Sequence, residues 1–268
     1  LADLERIPRL GRGVDARGLL ADDAIDRAIA ALRDVVDRAR ALGVTRIAAV
    51  GTSAVRDAQN RDLLIARARD ATGVTIDAID GAREAALTFR GSLPGIELEG
   101  PRTVIDVGGG STEIVCGRDD RAIDARSVDV GSVRLYERHL RSEPPRPDEL
   151  AALEADVDAA LDRAGISITA PLVALAGTAC TLASIAGAST VHGARIDARE
   201  LHEIAMRLAA MTIDERRATP GVPAGREDVI AAGALLLDRI VRRAGADEII
   251  VSTGGVRWGL AIEMLERP

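Results

Sequence analysis

Apolar residues recur at helical spacing over 22–42, at Ile25, Ile29, Leu32, Val36 and Ala39, and predict a helix with one buried stripe. Asp22 and Asp23 favour its N-terminal end, and Gly43 stops it. Residues 45–50 (TRIAAV) read as a short buried strand, and 51–60 (GTSAVRDAQN) as a loop entering a helix over 60–71. A strand over 74–79 and a helix over 81–92 follow. The Gly/Pro-rich stretch GSLPGIELEG at 91–100 marks a domain boundary. It divides the chain into 1–95 and 96–268, with the last helix packing back on the first domain. Beyond it the pattern predicts strands at 103–107, 112–117 and 121–130, then helices over 131–140 and 147–164. A strand at 171–176 meets GTA and a helix. Helices over 197–210 and 225–244 lead to a strand at 248–252, which meets TGG and a helix to the chain's end.

One theme repeats: an apolar strand, then small residues with glycine, then a new element. It occurs at Gly51, Gly108–Gly110, Gly177 and Gly254–Gly255. Alternating strands and helices predict an α/β fold. Ligands of such folds bind at the carboxyl ends of strands, so these turns point to one crevice.

Composition narrows the chemistry. The 268 residues include one Phe, one Tyr and one Trp, so the core is built from Ala, Val, Leu and Ile. A stacking surface for nucleic-acid bases needs several aromatics, and the net charge of −7 opposes a general polyanion surface. All 35 basic residues are Arg. Without lysine, Walker-A and Schiff-base mechanisms are excluded, while arginine suits bidentate phosphate recognition. Cys116 and Cys180 lie far apart, and His139, His192 and His202 form no ligand spacing. The apolar runs are too short to span a membrane and no signal peptide is visible, which makes a reducing, cytoplasmic setting the default.

The sharpest chemical signal is IDVGGGSTE at 105–113. Asp106 ends an apolar strand, where a carboxylate can face a crevice and hold a metal. Gly108, Gly109 and Gly110 let backbone approach a ligand, and their N–H groups can form an anion nest joined by the Ser111 and Thr112 hydroxyls. Glu113 adds a second carboxylate. The plainer reading is a glycine-rich hairpin turn. In IDGAREAAL (79–87), Glu84 sits in the first turn of a helix, where the dipole alone favours it. In TSAVRDAQN (52–60), Arg56 and Asn60 are four apart, which a helix would place on one face. A capped helix with solvated polar residues explains them equally. The AGT (176–178) and GGVR (254–257) segments read either as tight strand-to-helix turns or as contacts to a nucleotide or phosphate.

Together, RLGRGVDARGLL (9–20), TSAVRDAQN, IDGAREAAL, IDVGGGSTE, DVGSVRL (129–135), AGTACTLA (176–183), GREDVIAAGALLL (225–237) and STGGVRWGL (252–260) resemble the Ppx/GppA family of exopolyphosphatases and guanosine-pentaphosphate phosphohydrolases. The resemblance implies the actin, Hsp70 and sugar-kinase type of fold, with two ribonuclease-H-like domains around a cleft. It implies that Glu84 is the general base, that Asp106 and Glu113 hold magnesium or manganese, and that Gly108 to Thr112 cradle the phosphate. Arg56 and Asn60 then line the cleft from the first domain. The implied substrate is inorganic polyphosphate or a guanosine polyphosphate, with no nucleic acid or membrane as partner. The family often forms homodimers, and no sequence feature marks an interface. A superfamily kinase and a non-catalytic sensor of polyphosphate or guanosine tetraphosphate are the rival readings.

Two departures from the family pattern carry expectations. The family opens with a strand and a D-x-G-[ST]-N-S loop, so roughly 30 residues, a strand hairpin, are expected ahead of Leu1. Longer members carry extra helical domains, so short polyphosphates or nucleotides are the expected substrates.

Overall fold

The structure is a computed structural model describing residues 4, 6–119 and 121–266. The last two residues of the helix predicted to run to the chain's end lie outside them. Two compact units divide between Asp80 and Gly81.

In the first unit, α1 (Val14–Arg17) lies between Gly13 and Gly18, both left-handed. Helix α2 (Asp22–Ala41) buries Ala24, Ile25, Ile29 and Val36, while Leu32 and Ala39 of the predicted stripe are half-buried. Strand β1 (Ala49–Gly51) is followed by α3 (Ser53–Asp57), α4 (Arg61–Thr72) and β2 (Ile76–Ala78), and β1 pairs with β2 in parallel. Val14, Leu20, Ile25, Ile29, Val55, Ala58 and Leu64 form the core.

Two predictions fail here for local reasons. The strand placed at 45–50 is confined to Ala49–Gly51, because its ladder pairs only with the three residues of β2. Thr45 and Arg46 are exposed instead of buried. Arg56 and Asn60 do not share a helix face. The chain leaves α3 at Ala58 in an extended conformation (φ −82°, ψ 128°), and Asn60 stands at the N-cap of α4.

The second unit opens with α5 (Gly81–Ser92) and continues through β3 (Pro101–Val107), β4 (Thr112–Arg118), β5 (Arg121–Val128), α6 (Ser132–His139) and α7 (Pro147–Ala164). Then come β6 (Leu172–Leu175), α8 (Ala176–Ile185), β7 (Arg195–Asp197), α9 (Ala198–Ala209), α10 (Ile213–Ala218), α11 (Ile230–Ala244), β8 (Glu248–Ser252) and α12 (Val256–Glu266). Strand β7 and helix α10 are too short for a hydrophobic period to announce them. The helix predicted from 225 starts at Ile230, because Gly225 takes a left-handed φ of +88° and the next residues close turns onto Arg226.

The six strands run in the order β5-β4-β3-β6-β8-β7. Strands β3, β6 and β8 are mutually parallel, and β4 and β5 add as antiparallel hairpins. Central strands covered on both faces read as continuous apolar runs. Ile105, Val107 and Ile114 face the large core under α7, α8, α9 and α11, while Val104, Val115 and Val173 pack with Ala85 and Phe89 of α5.

Helix α5 therefore belongs to this unit's sheet, and the 91–100 stretch lies within the unit rather than at its border. Its partner is α12, and backbone-to-backbone approach joins the two. A Cβ added at Gly91 would stand 2.0 Å from the Gly255 carbonyl oxygen, one at Gly254 2.0 Å from that of Gly91, and one at Gly259 2.0 Å from that of Leu87. The last helix thus packs on α5, inside the second unit. No helix among the described residues is long and apolar enough to cross a membrane.

Candidate active site

Because β3, β6 and β8 are parallel and in register through Asp106, Leu175 and Ser252, their carboxyl ends share one sheet edge. Three of the four glycine-bearing turns, at 108–110, 177 and 254–255, lie along it. The fourth, at Gly51, belongs to the first unit's sheet.

Antiparallel register then sets the chemistry. Asp106 on β3 pairs with Glu113 on β4, and Glu113 pairs with Ser127 on β5. These three residues form a row on the α5 face. Helix α5 begins over it, with Gly81 so close to Ser127 that an added Cβ would sit 3.0 Å from the serine Cβ. Glu84, one turn further, is buried and acts electrostatically on both Asp106 and Glu113. Its place in the first helical turn is thus more than a dipole effect: it brings a third carboxylate to the pair.

Crowding perturbs the acids. Burial raises the Asp106 carboxyl well above the usual carboxylate range, and the Glu84 charge adds to this. Glu113 is raised by burial first, then by Glu84 and Asp106, against the opposing pull of hydrogen bonds from Ser127 and Ser111. Among the described residues, no group of three or more His, Cys, Asp or Glu side chains stands ready to hold a metal ion. A cation here would rest on two carboxylates and complete its shell with water and phosphate oxygens, which is the habit of Mg²⁺. The donor set therefore fits magnesium better than a metal needing a full protein cage.

The glycine run makes a nest. Gly108 N–H donates to Ser111 O at 3.0 Å, which closes the hairpin. The carbonyls of Gly108 and Gly109 accept from Ser132, Val133 and Arg134 N–H at the start of α6. Gly131 permits this approach, since a Cβ there would lie 2.5 Å from Gly109 O. Among the described residues, the N–H groups of Gly109, Gly110 and Ser111 make no hydrogen bond within the chain and remain as anion donors. The two hydroxyls are otherwise engaged. Ser111 donates to Glu113 Oε1 at 2.9 Å, and Thr112, fully buried, donates to Val130 O at 2.6 Å. Thr112 has one proton and gives it to the backbone.

The other turns differ from the first. At the β6–α8 turn, Ala176 holds a left-handed φ of +67°, which costs a non-glycine residue about 1–2 kcal/mol. The Arg226 guanidinium lies directly over Gly177, filling the space a Cβ would take. Gly254 and Gly255 serve the α5–α12 contact, so of the two readings of GGVR the tight turn has the packing reason. Sequence reasoning did not single out Arg226, which lies over Gly177, or Ser127, which donates to Glu113. Arg226 lies in the GREDV segment and was findable there; Ser127 sits in an exposed strand with no local signal.

Arg56 and Asn60 lie in the first unit. Arg56 Nη1 donates to Ile79 O at 3.3 Å. Asn60 closes a two-way bond with the backbone of Leu20, accepting its N–H at 2.8 Å and donating to its carbonyl at 2.9 Å.

Paired acids beside free backbone donors, at the carboxyl edge of an α/β sheet, define a phosphate-handling enzyme. The chain matches the Ppx/GppA phosphatase family over residues 1–268. Exopolyphosphatase 2 of Mycobacterium tuberculosis is 37% identical over 279 residues, covering 97% of this chain and 87% of that protein. The guanosine-5'-triphosphate,3'-diphosphate pyrophosphatase of Photobacterium profundum is 26% identical, covering 100% of this chain and 54% of that protein. The crystal structure of an exopolyphosphatase-like protein superposes with a TM-score of 0.95 at 30% identity, covering 100% of this chain and 92% of that one. The chain belongs to the Ppx/GppA phosphatase family, and its fold is the α/β class that the resemblance implied.

Proposed function

We propose that this phosphatase removes the terminal phosphate of inorganic polyphosphate in a magnesium-dependent reaction, with guanosine pentaphosphate as a second substrate. The observation that carries the reading is the meeting of Glu84, Asp106 and Glu113 beside the free N–H groups of Gly109, Gly110 and Ser111. The exopolyphosphatase relative supports polyphosphate as the substrate, and the pyrophosphatase relative supports the guanosine polyphosphate.

Hydrolysis of a phosphoric anhydride passes through a loose transition state, so catalysis is mainly positioning and charge neutralisation. The nest N–H groups hold the oxygens of the phosphate under attack. Glu84 accepts the proton of the attacking water from its buried place beside Asp106 and Glu113. Asp106 and Glu113 would hold magnesium, which would supply charge neutralisation at the phosphate oxygens. No covalent enzyme intermediate is needed.

The test is phosphate release from short polyphosphate, long polyphosphate and guanosine pentaphosphate, each with and without magnesium. Magnesium-dependent release from polyphosphate is the expected result. Binding without release from all three would replace hydrolysis by a sensor, and transfer to an acceptor instead of water would make the protein a kinase.

A further inference from the structure

Glu113 must keep one orientation inside a cluster of like charge, and an outer strand supplies the means. Ser127 lies on β5, the edge strand, whose residues are largely exposed. Its hydroxyl nevertheless reaches inward across the ladder and donates to Glu113 Oε1 at 2.7 Å. Ser111 donates to the same oxygen at 2.9 Å. Oε2 makes no hydrogen bond among the described residues. The terminal torsion of a glutamate is broad and two-fold, so a single donor leaves the carboxylate free to swing. Donors from the β3–β4 turn and from β5 on one oxygen fix its plane and leave the other oxygen facing a ligand.

We infer that Ser127 is a positioning residue: with Ser111 it pins Glu113 Oε1 and presents Oε2 to the divalent cation. The inference rests on the proposed hydrolase reading for its purpose, but its test does not depend on turnover. The core does not need this side chain, and its exposed strand tolerates β-branched residues. Ser127→Thr keeps the hydroxyl, and Ser127→Val keeps nearly the same shape without it, so the pair isolates the hydrogen bond from packing.

The experiment is Mn²⁺ binding to the wild type and both variants, followed by electron paramagnetic resonance, beside thermal unfolding and phosphate release. Loss of a group that orients a metal ligand costs about 10–100-fold in affinity. Ser127→Val is expected to bind Mn²⁺ at least about tenfold more weakly, with Ser127→Thr near wild type and both variants unfolding at the same midpoint. Turnover of Ser127→Val should recover as Mn²⁺ is raised. Equal affinity in the two variants, or no Mn²⁺ binding by the wild type, overturns the inference. If the wild type releases no phosphate while the variants still differ in Mn²⁺ affinity, the hydrolase reading falls and the positioning role stands.

Discussion

The first unit and the second both place polar residues just after a strand, and they use them in opposite ways. After β1, Asn60 turns both ends of its amide onto the Leu20 backbone, and Arg56 reaches the Ile79 carbonyl. After β3, two paired carboxylates feel the charge of a third, and three N–H groups stay without a partner in the chain among the described residues. The first arrangement lowers the energy of the fold by itself. The second raises it and leaves charge and hydrogen-bonding capacity over, which on the proposed reading a cation and a phosphate would take up. A polar cluster is better judged as a site by the hydrogen-bonding capacity it leaves over than by its composition.

The largest expected effect comes from removing the third acid. Glu84→Gln is isosteric and should lower kcat by about 10²–10⁴-fold, the usual worth of a general base, while unfolding is little changed. Unaltered turnover would return Glu84 to the role of a helix-dipole partner. Asp106→Asn should raise the magnesium needed for half-maximal phosphate release by roughly tenfold or more, since even losses outside the first ligand shell cost about that much. A superimposable magnesium titration would remove it as a ligand.

Across the comparison, Asn60→Ala leaves the Leu20 N–H and carbonyl without their partner and should cost about 1–3 kcal/mol in urea unfolding, with KM for polyphosphate unchanged. A raised KM with intact stability would place Asn60 on the substrate, as the family resemblance implied. The smallest effect concerns the α7–α11 contact. There the hydrogen bond from Arg239 holds the Asp158 carboxyl below its ordinary value, and Arg243 assists. A depressed folded-state pKa adds stability that is present above the ordinary carboxylate pKa and is lost as pH falls through the folded one. Asp158→Asn should therefore be slightly less stable than wild type at neutral pH, by no more than about 1 kcal/mol for a partly exposed pair, with the gap closing in acid. A gap that persists at low pH would show that packing, not charge, is responsible.

Elements with a long hydrophobic period were legible. Helices α2, α5 and α7 and strands β3, β4 and β8 fall where the pattern places them, because their burial is written in local spacing. The short β7 and α10 were not, since neither completes a detectable period. Helix α3 was also hidden, because its five residues are too few to show a period within a stretch that reads as loop. Within the site, IDVGGGSTE announced a nest and two acids, but not that the Thr112 proton goes to Val130.

Sequence alone determined the alternation of strands and helices, the Arg-only basic chemistry, and the glycine-bearing turns that follow apolar strands. These depend on residue type and on spacing within a few positions. Tertiary structure decided which side chains meet. Strand register, a matter of pairing between distant segments, set Asp106, Glu113 and Ser127 in one row. The packing of α5 on that sheet then brought Glu84 to them. It was also a distant contact that explained Gly91, Gly254 and Gly259: backbone passing within reach of backbone leaves no room for a Cβ, and no local pattern shows where two helices will touch.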